Sequence, residues 1–259
     1  MKAVDLHNHM QAIGKWVDWE HTCDGFKFGS PEVEVTGIAV AWQSTFPALC
    51  IAHEAGCNLF VTHEPTFYTH MDDSVDVFKH EHVRRKRTFL EETGMVIYRC
   101  HDVWDVMPEI GIVDSWAKGL GFDAEPLATR KYYAVYPFEG TCGDLATHIR
   151  DRVSAIGQTA VQVVGDLNQS VHRVAIGTGA ITEIAVMADM GADVVIATDD
   201  GLSYWAYGSW ALDKGLPLIV VNHATAEEWG IANLAKYIGQ HFAIVPVKHI
   251  PMGCMYKLV

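Results

Sequence analysis

The chain has 259 residues, is 49% hydrophobic and carries a formal net charge of −13. That length suits one large α/β domain or two intertwined lobes, and no apolar run reaches the length of a membrane span. The acidic balance opposes phosphate backbones, so no nucleic-acid partner is expected; the opening Met1-Lys2-Ala3-Val4-Asp5 has no signal-peptide core, so a soluble cytoplasmic protein without a membrane partner is.

Apolar periodicity predicts a first helix over 3–17 and a short strand at 26–28, with a turn at Gly29-Ser30-Pro31. Residues 36–42 read as a strand. Ser44-Thr45 with Pro47 marks the start of a helix that ends near Gly56. The run Asn58-Leu59-Phe60-Val61-Thr62 has the length of a buried strand, and Pro65 stops it just after His63-Glu64. A loop over 66–80 leads into a charged helix from about 77 to Thr93, which stops at Gly94. A strand over 95–100 runs into His101-Asp102-Val103-Trp104-Asp105, and a helix near 109–119 closes the first half. The basic run Arg84-Arg85-Lys86-Arg87 lies in the charged helix, and its ordinary reading is a solvated face.

Residues 121–131 are polar, contain Pro126 and suit a linker between a first repeat (1–120) and a second (132–259). The second repeat reads as strand 132–136, helix 142–156, strands 160–164 and 171–176, a helix to Met190, strand 193–197 and a helix near 203–213. Strand 216–221, a helix from about 225 to 239 and a strand at 242–247 complete it. The halves match each other. Ile38-Ala39-Val40, a helix, Gly56 and a strand reaching Thr62-His63-Glu64 correspond to Val174-Ala175-Ile176, a helix, Gly191 and a strand reaching Thr198-Asp199-Asp200. Each set then has a helix stopped by glycine (Gly94, Gly215) and a strand running into histidine (His101, His223), with Asp105 and Glu227 four residues on. The six cysteines form no C-x-x-C pair and read as reduced thiols.

Strands that end in such residues hold ligands at their C-terminal edges. If the duplicated halves turn those edges toward one another, His63, Glu64, His101, Asp105, His223 and Glu227 come together. Imidazoles mixed with carboxylates suit zinc, iron or manganese. His-x-x-x-Asp and His-x-x-x-Glu put both groups on one face of a helix turn, and two metals about 3.5–4 Å apart would activate water and clamp a leaving oxygen. Plainer readings exist: His63 as a satisfied strand-end residue, Asp105 as a helix cap, Glu227 as a solvated first-turn acid. Two others are weaker. Asp5-Leu6-His7-Asn8-His9 looks like the start of a metal-dependent amidohydrolase barrel, but Ala3-Val4 is too short for a barrel strand and the stretch fits the first helix better. Gly177-Thr178-Gly179-Ala180-Ile181-Thr182 lacks the third glycine of a dinucleotide fingerprint, which leaves only a weak dehydrogenase reading.

Over nearly its whole length the chain resembles the Nif-three-like dinuclear-metal proteins, also known as GTP cyclohydrolase I type 2. Asp24-Gly25-Phe26-Lys27-Phe28-Gly29 looks like the family's opening loop, and Thr36-Gly37-Ile38-Ala39-Val40 followed by Ser44-Thr45 like its first core strand and cap. Thr62-His63-Glu64-Pro65 resembles its Thr-His-His-Pro motif, His101 to Asp105 its His-x-x-x-Asp, and Asn222-His223-Ala224-Thr225-Ala226-Glu227 its Gly-His-x-x-Ser-Glu. The resemblance implies two intertwined, duplicated α/β repeats with mixed sheets, assembled as a homohexamer. It implies two divalent ions (Mn, Fe or Zn) held by His63, Glu64, Asp105, His223 and Glu227, with Asp105 or Glu227 bridging and His101 a ligand, a group beside the ligands or a proton shuttle. The activity implied is metal-dependent hydrolysis of a small, nucleotide-like molecule, with Glu64 or His101 moving the proton; the alternative is a non-catalytic, metal-holding oligomer that binds or regulates. Two departures stand out. Glu64 replaces the motif's second histidine, and Ser203-Tyr204-Trp205 stands where the family often has Lys-Tyr-His.

Overall fold

A computed structural model describes residues 1–180 and 182–259; Ile181, within the glycine turn read from the sequence, lies outside the described residues. In chain order the elements are α1 Ala3–Ile13, β1 Gly25–Phe28, β2 Ile38–Gln43, α2 Phe46–Glu54, β3 Leu59–Glu64, α3 Glu81–Thr93, β4 Val96–Arg99, α4 Asp102–Asp105 and α5 Ile112–Leu120. They continue with β5 Ala128–Arg130, β6 Tyr133–Thr141, α6 Cys142–Ser154, β7 Gln162–Val164, β8 Ser170–Ile176, α7 Ile184–Asp189 and β9 Val194–Thr198. Last come α8 Ser209–Lys214, β10 Leu218–Val221, α9 His223–His241 and β11 Val247–His249. The chain divides into two compact units. Unit 1 is Met1–Gly111 with Ile231–Met252, and unit 2 is Ile112–Gly230 with Gly253–Val259.

Unit 1 is a five-stranded mixed sheet in the order β1-β4-β3-β2-β11. β2, β3, β4 and β11 run parallel, and β1 is antiparallel to β4. Thr45 caps α2, its Oγ1 accepting from the Ala48 amide, and Pro47 sits in the first turn where its missing N–H costs nothing. α3 ends at Gly94, whose φ of 64° is the left-handed conformation that glycine adopts without strain. Phe60 and Ile97 from the strands meet Leu49, Val83 and Leu90 from the helices in one buried cluster. The register sets Gln43 beside Glu64 and Thr62 beside Arg99, so His63 and His101 leave adjacent parallel strands at the same edge.

Unit 2 is a six-stranded mixed sheet in the order β5-β6-β8-β9-β10-β7. Its centre, β8-β9-β10, is parallel, with Val221 paired to Thr198. Apolar side chains cover both faces, as buried parallel strands require. Ile196 and Ile219 pack with Leu145 and Ile149 of α6 on one face; Val195 and Leu218 pack with Met187 of α7 on the other. α5 belongs to this unit because Trp116, Ala117 and Leu120 join the first of these clusters.

The structure corrects several expectations. The first helix stops at Ile13, and Gly14 takes its C-cap, so 14–17 is not helical. Part of the segment 66–80 is a 3-10 turn, Val75–Lys79. The helix near 109–119 is α5, which starts at Ile112, and a separate single turn, α4, precedes it, too short to show a period. The last strand lies at 247–249, since α9 runs on to His241 and Val245 turns back on the Phe242 carbonyl. The segment 121–131 contains β5, antiparallel to β6. The basic run is not a uniformly solvated face: Lys86 is buried, its Nζ donating to the Thr66 carbonyl at 2.6 Å. His7 and His9 lie on α1, where they reach the Tyr98 and Tyr237 hydroxyls. Among the described residues no helix is long and apolar enough to cross a membrane.

Candidate functional site

In unit 1 the chemistry gathers where β3 and β4 end. His63 is fully buried, and its Nδ1–H donates to the Cys100 carbonyl at 3.0 Å. A carbonyl only accepts, so Nδ1 keeps its proton and Nε2 of the neutral ring is a lone-pair donor to a metal or a proton. That Nε2 faces Asp105 Oδ1 at 3.4 Å. Two electron-rich atoms this close, out of water, require a positive charge between or upon them. A divalent ion or a ring proton supplies it, so the donor set fits a metal.

His101 lies flat against His63, with ring centroids 4.5 Å apart and planes 18° from parallel. Its Nδ1 meets Asp102 Oδ1 at 2.9 Å and Asp105 Oδ2 at 3.5 Å, and its Nε2 lies 3.9 Å from Glu64 Oε1. Burial alone would lower the His101 pKa; the Asp105 charge and the Asp102 hydrogen bond outweigh it and hold the pKa well above the usual imidazole value. The Asp102 carboxyl is in turn held well below the usual range, first by its bond to His101 and despite partial burial. One ligand atom each from His63, Glu64 and His101 fall within 4.8 Å of one another, as do atoms from Cys23, His101 and Asp102.

Two supporting residues carried no site signal in the sequence. The buried Asp24 accepts the amides of His101 (2.6 Å) and Asp102 (2.9 Å) at Oδ1 and that of Val103 (2.9 Å) at Oδ2. It therefore caps α4 and aims His101; burial pushes its carboxyl pKa up, against the lowering by the Val103 and His101 amides. Buried Arg99 donates from Nε to the His63 carbonyl at 2.9 Å and places Nη2 3.4 Å from Glu64 Oε2, with Nη1 on the His70 carbonyl. A carboxylate at position 64 adds a negative charge that a histidine would not, and Arg99 partly offsets it.

Unit 2 repeats the pattern where β9 and β10 end. Asp199 accepts the His223 amide at Oδ1 and the Asn222 side-chain amide at Oδ2, both at 2.9 Å, so it opens α9 as Asp24 opens α4. His223 Nδ1 donates to Asp200 Oδ2 at 2.9 Å, and its Nε2 lies 3.0 Å from Glu227 Oε1. The bond to His223 lowers the Asp200 pKa. Thr178 donates to the same Glu227 oxygen at 3.1 Å. A β-carbon at Gly179, whose φ is +73°, would stand 3.5 Å from both Glu227 Oε1 and His223 Nε2. The glycine turn is thus tied to His223 and Glu227. Asp199 and Asp200 hold the places that match His63 and Glu64 in the repeat, a correspondence readable from the sequence; their bonds to His223 were not. Glu227 and Glu228 are both buried, so neither is a solvated first-turn acid, and Glu228 Oε2 accepts the Gly253 amide at 3.4 Å. The Ser203-Tyr204-Trp205 departure falls at a π turn, Tyr204–Gly208, and Trp205 is 85% exposed.

The family model for Duf34/NIF3 (NGG1p interacting factor 3) matches residues 1–253. The chain belongs to the DUF34/NIF3 family. Two curated relatives are each called a GTP cyclohydrolase 1 type 2 homolog. The one from Pseudomonas aeruginosa is 27% identical over 238 residues, covering 87% of this chain and 86% of the relative. The one from Clostridium perfringens is 25% identical over 240 residues, covering 88% and 87%. Among solved structures, a Staphylococcus aureus hypothetical protein superposes with a TM-score of 0.81 at 19% identity, over 100% of this chain and 99% of that one. A Bacillus cereus protein related to NIF3 gives 0.80 at 15% identity, over the same shares. At these identities the structural neighbours establish the NIF3 fold, a mixed α/β architecture with two mixed sheets, as the sequence resemblance implies.

Proposed function

We propose that this chain binds two divalent metal ions through His63, Glu64, Asp105, His223 and Glu227, and that it is a hydrolase of a small, nucleotide-like molecule. The observation that carries the metal reading is the His63–Asp105 pair: a lone pair and a carboxylate oxygen 3.4 Å apart, with His63 buried and its other nitrogen committed to a carbonyl. Mixed imidazole and carboxylate donors favour manganese, iron or zinc over magnesium. The name GTP cyclohydrolase 1 type 2 homolog, carried by both curated relatives, supports the substrate class.

Bound ions of this kind would supply Lewis acidity and activate water. The chain's own residues would then handle the proton and orient the groups. His101 is the residue best placed to carry a proton, since Asp102 holds Nδ1 and leaves Nε2 toward Glu64. Arg99 holds Glu64 in place and moderates its charge. Thr178 does the same for Glu227 by donating to one of its oxygens.

Metal analysis of the purified chain, with reconstitution in manganese, iron and zinc, tests the binding. Less than half an equivalent, with no uptake on reconstitution, would end it. A turnover screen of the reconstituted protein on nucleotides and related small molecules then separates a hydrolase from a metal-holding regulatory oligomer. Retained metal with no turnover would favour the latter.

A further inference from the structure

One cavity of unit 1 lies outside the proposed ligands. It has a volume of about 330 Å³ and is lined by Gln43, Thr45, Phe46, Pro47, Tyr68, His82, Arg85 and Lys86. None of these eight is acidic, in a chain whose net charge is −13. Three can carry positive charge. They are His82, Arg85 and Lys86, all on α3, and the basic run there divides its labour. Arg84 donates to the Phe78 and Lys79 carbonyls, Arg87 pairs with Glu91, and Lys86 is buried against Thr66. The Arg85 side chain makes no hydrogen bond or ion pair among the described residues. Its guanidinium instead stacks on Phe46, 4.1 Å from the ring centroid, at the cavity wall.

The other walls combine a helix start with aromatic rings. Thr45, Phe46 and Pro47 are the start of α2, so the positive end of a nine-residue helix borders the cavity. Tyr68 has a φ of 70°, the left-handed region that a bulky residue rarely enters, and its ring stands half exposed beside His82. Lys86 Nζ lies 5.1 Å from the Tyr68 ring. Two aromatic rings, an uncommitted guanidinium and an imidazole therefore border one cavity.

We propose that this cavity binds a small oxyanion carried on a planar ring, of the aryl phosphate class, with Arg85 and His82 holding the oxyanion and Phe46 and Tyr68 framing the ring. A guanidinium already stacked on an aromatic keeps its donors in a fixed plane, which suits two-point contact with phosphate. The inference does not depend on the metal reading, because no lining residue is a proposed ligand.

Calorimetric titration of the full chain tests it, in a phosphate-free buffer and with metal content measured alongside. The probes are phenyl phosphate, inorganic phosphate and phenol. Phenyl phosphate should bind saturably and more tightly than either of the others. Arg85→Gln should weaken it about tenfold, and Arg85→Lys by less, with metal content unchanged in both. Arg84→Gln, whose guanidinium serves backbone carbonyls, should stay within about twofold of the parent. The proposal is overturned if phenyl phosphate shows no saturable binding at concentrations on the order of 10 mM, if phenol binds as well, or if Arg84→Gln weakens binding as much as Arg85→Gln. Inorganic phosphate binding as tightly as phenyl phosphate would remove the ring from the ligand class and overturn that half of the assignment.

Discussion

His63 Nε2 and Asp105 Oδ1 stand 3.4 Å apart, although one lies near the end of β3, just before Glu64, and the other ends the single-turn helix after β4. A backbone carbonyl on the far side of the imidazole makes this an encounter of two electron-rich atoms unless a cation intervenes. On the proposed metal site, removing the ion should therefore destabilise unit 1. Chelator-treated protein should melt several degrees lower than metal-loaded protein, the difference growing with free metal concentration as linkage requires. His63→Gln should lose about one equivalent of metal and most of the chelator effect. A melting temperature indifferent to chelator would mean that the ring is simply protonated.

Glu227→Gln keeps the side chain's size and removes the charge facing His223 Nε2. On the proposed two-ion site, metal content is expected to fall toward about one equivalent or less, because a carboxylate shared by two ions would be lost to both. From the sequence, Glu228 should be a silent neighbour, turned about 100° away around the helix. Its burial and its contact with the Gly253 amide make it an unsuitable surface control. Glu228→Gln should lower stability and leave metal per folded chain unchanged, so the two variants separate only when elemental analysis is paired with thermal melts. Equal metal content in both would remove Glu227 from the ligand set.

The parts of this site legible in the sequence are those that obey a local rule. His63 and Glu64 end an apolar run stopped by proline, and Asp105 follows His101 by four residues. The Thr198-Asp199-Asp200 match to Thr62-His63-Glu64 was visible as a repeat. The parts that were not legible depend on long-range contacts. Asp24 reaches α4 across 77 positions, Arg99 reads as one more residue of a buried strand, and Thr178 meets Glu227 across 49. No spacing or period encodes such pairs. α4 carries no sequence signal because one turn has no measurable period, and α9 runs past its apparent stop, which moves the last strand on to Val247–His249.

A hexamer is expected in solution, on the family resemblance. Light scattering at micromolar concentration checks it, and a clean monomer mass would refute the carried-over assembly.

Asp24→Ala should be among the costliest single polar changes in unit 1. It strips three amides at the start of α4 of their acceptor, and those groups have little access to water. A loss of about 2 kcal/mol or more is expected, the upper range for a helix cap. Because the same carboxylate aims His101, any turnover should fall further than the loss of folded protein explains. Asp24→Asn keeps one acceptor oxygen and should recover part of both. Chemical denaturation of the three proteins checks the order parent, Asn, Ala; a variant as stable as the parent would show that water caps α4 equally well.

Lys86 offers a test of electrostatics away from the proposed ligands. Burial pushes its pKa down to about 8, against a smaller raising effect of Asp72. In the unfolded chain the group titrates near 10.5. Between those values the unfolded state binds more protons than the folded one, so the free energy of unfolding must rise with pH across that window. At about 1.4 kcal/mol per pKa unit, the rise is on the order of 1–3 kcal/mol. Lys86→Met removes the titration and leaves the Thr66 carbonyl without its 2.6 Å donor, a loss of about 1–3 kcal/mol that does not vary with pH. Urea denaturation of parent and variant between about pH 8 and pH 10, in phosphate-free buffer, should show the parent gaining stability relative to the variant as pH rises. A constant difference would mean that Lys86 titrates as an ordinary surface amine, and a parent that loses stability relative to the variant as pH rises would mean that its charge stabilises the fold through Asp72.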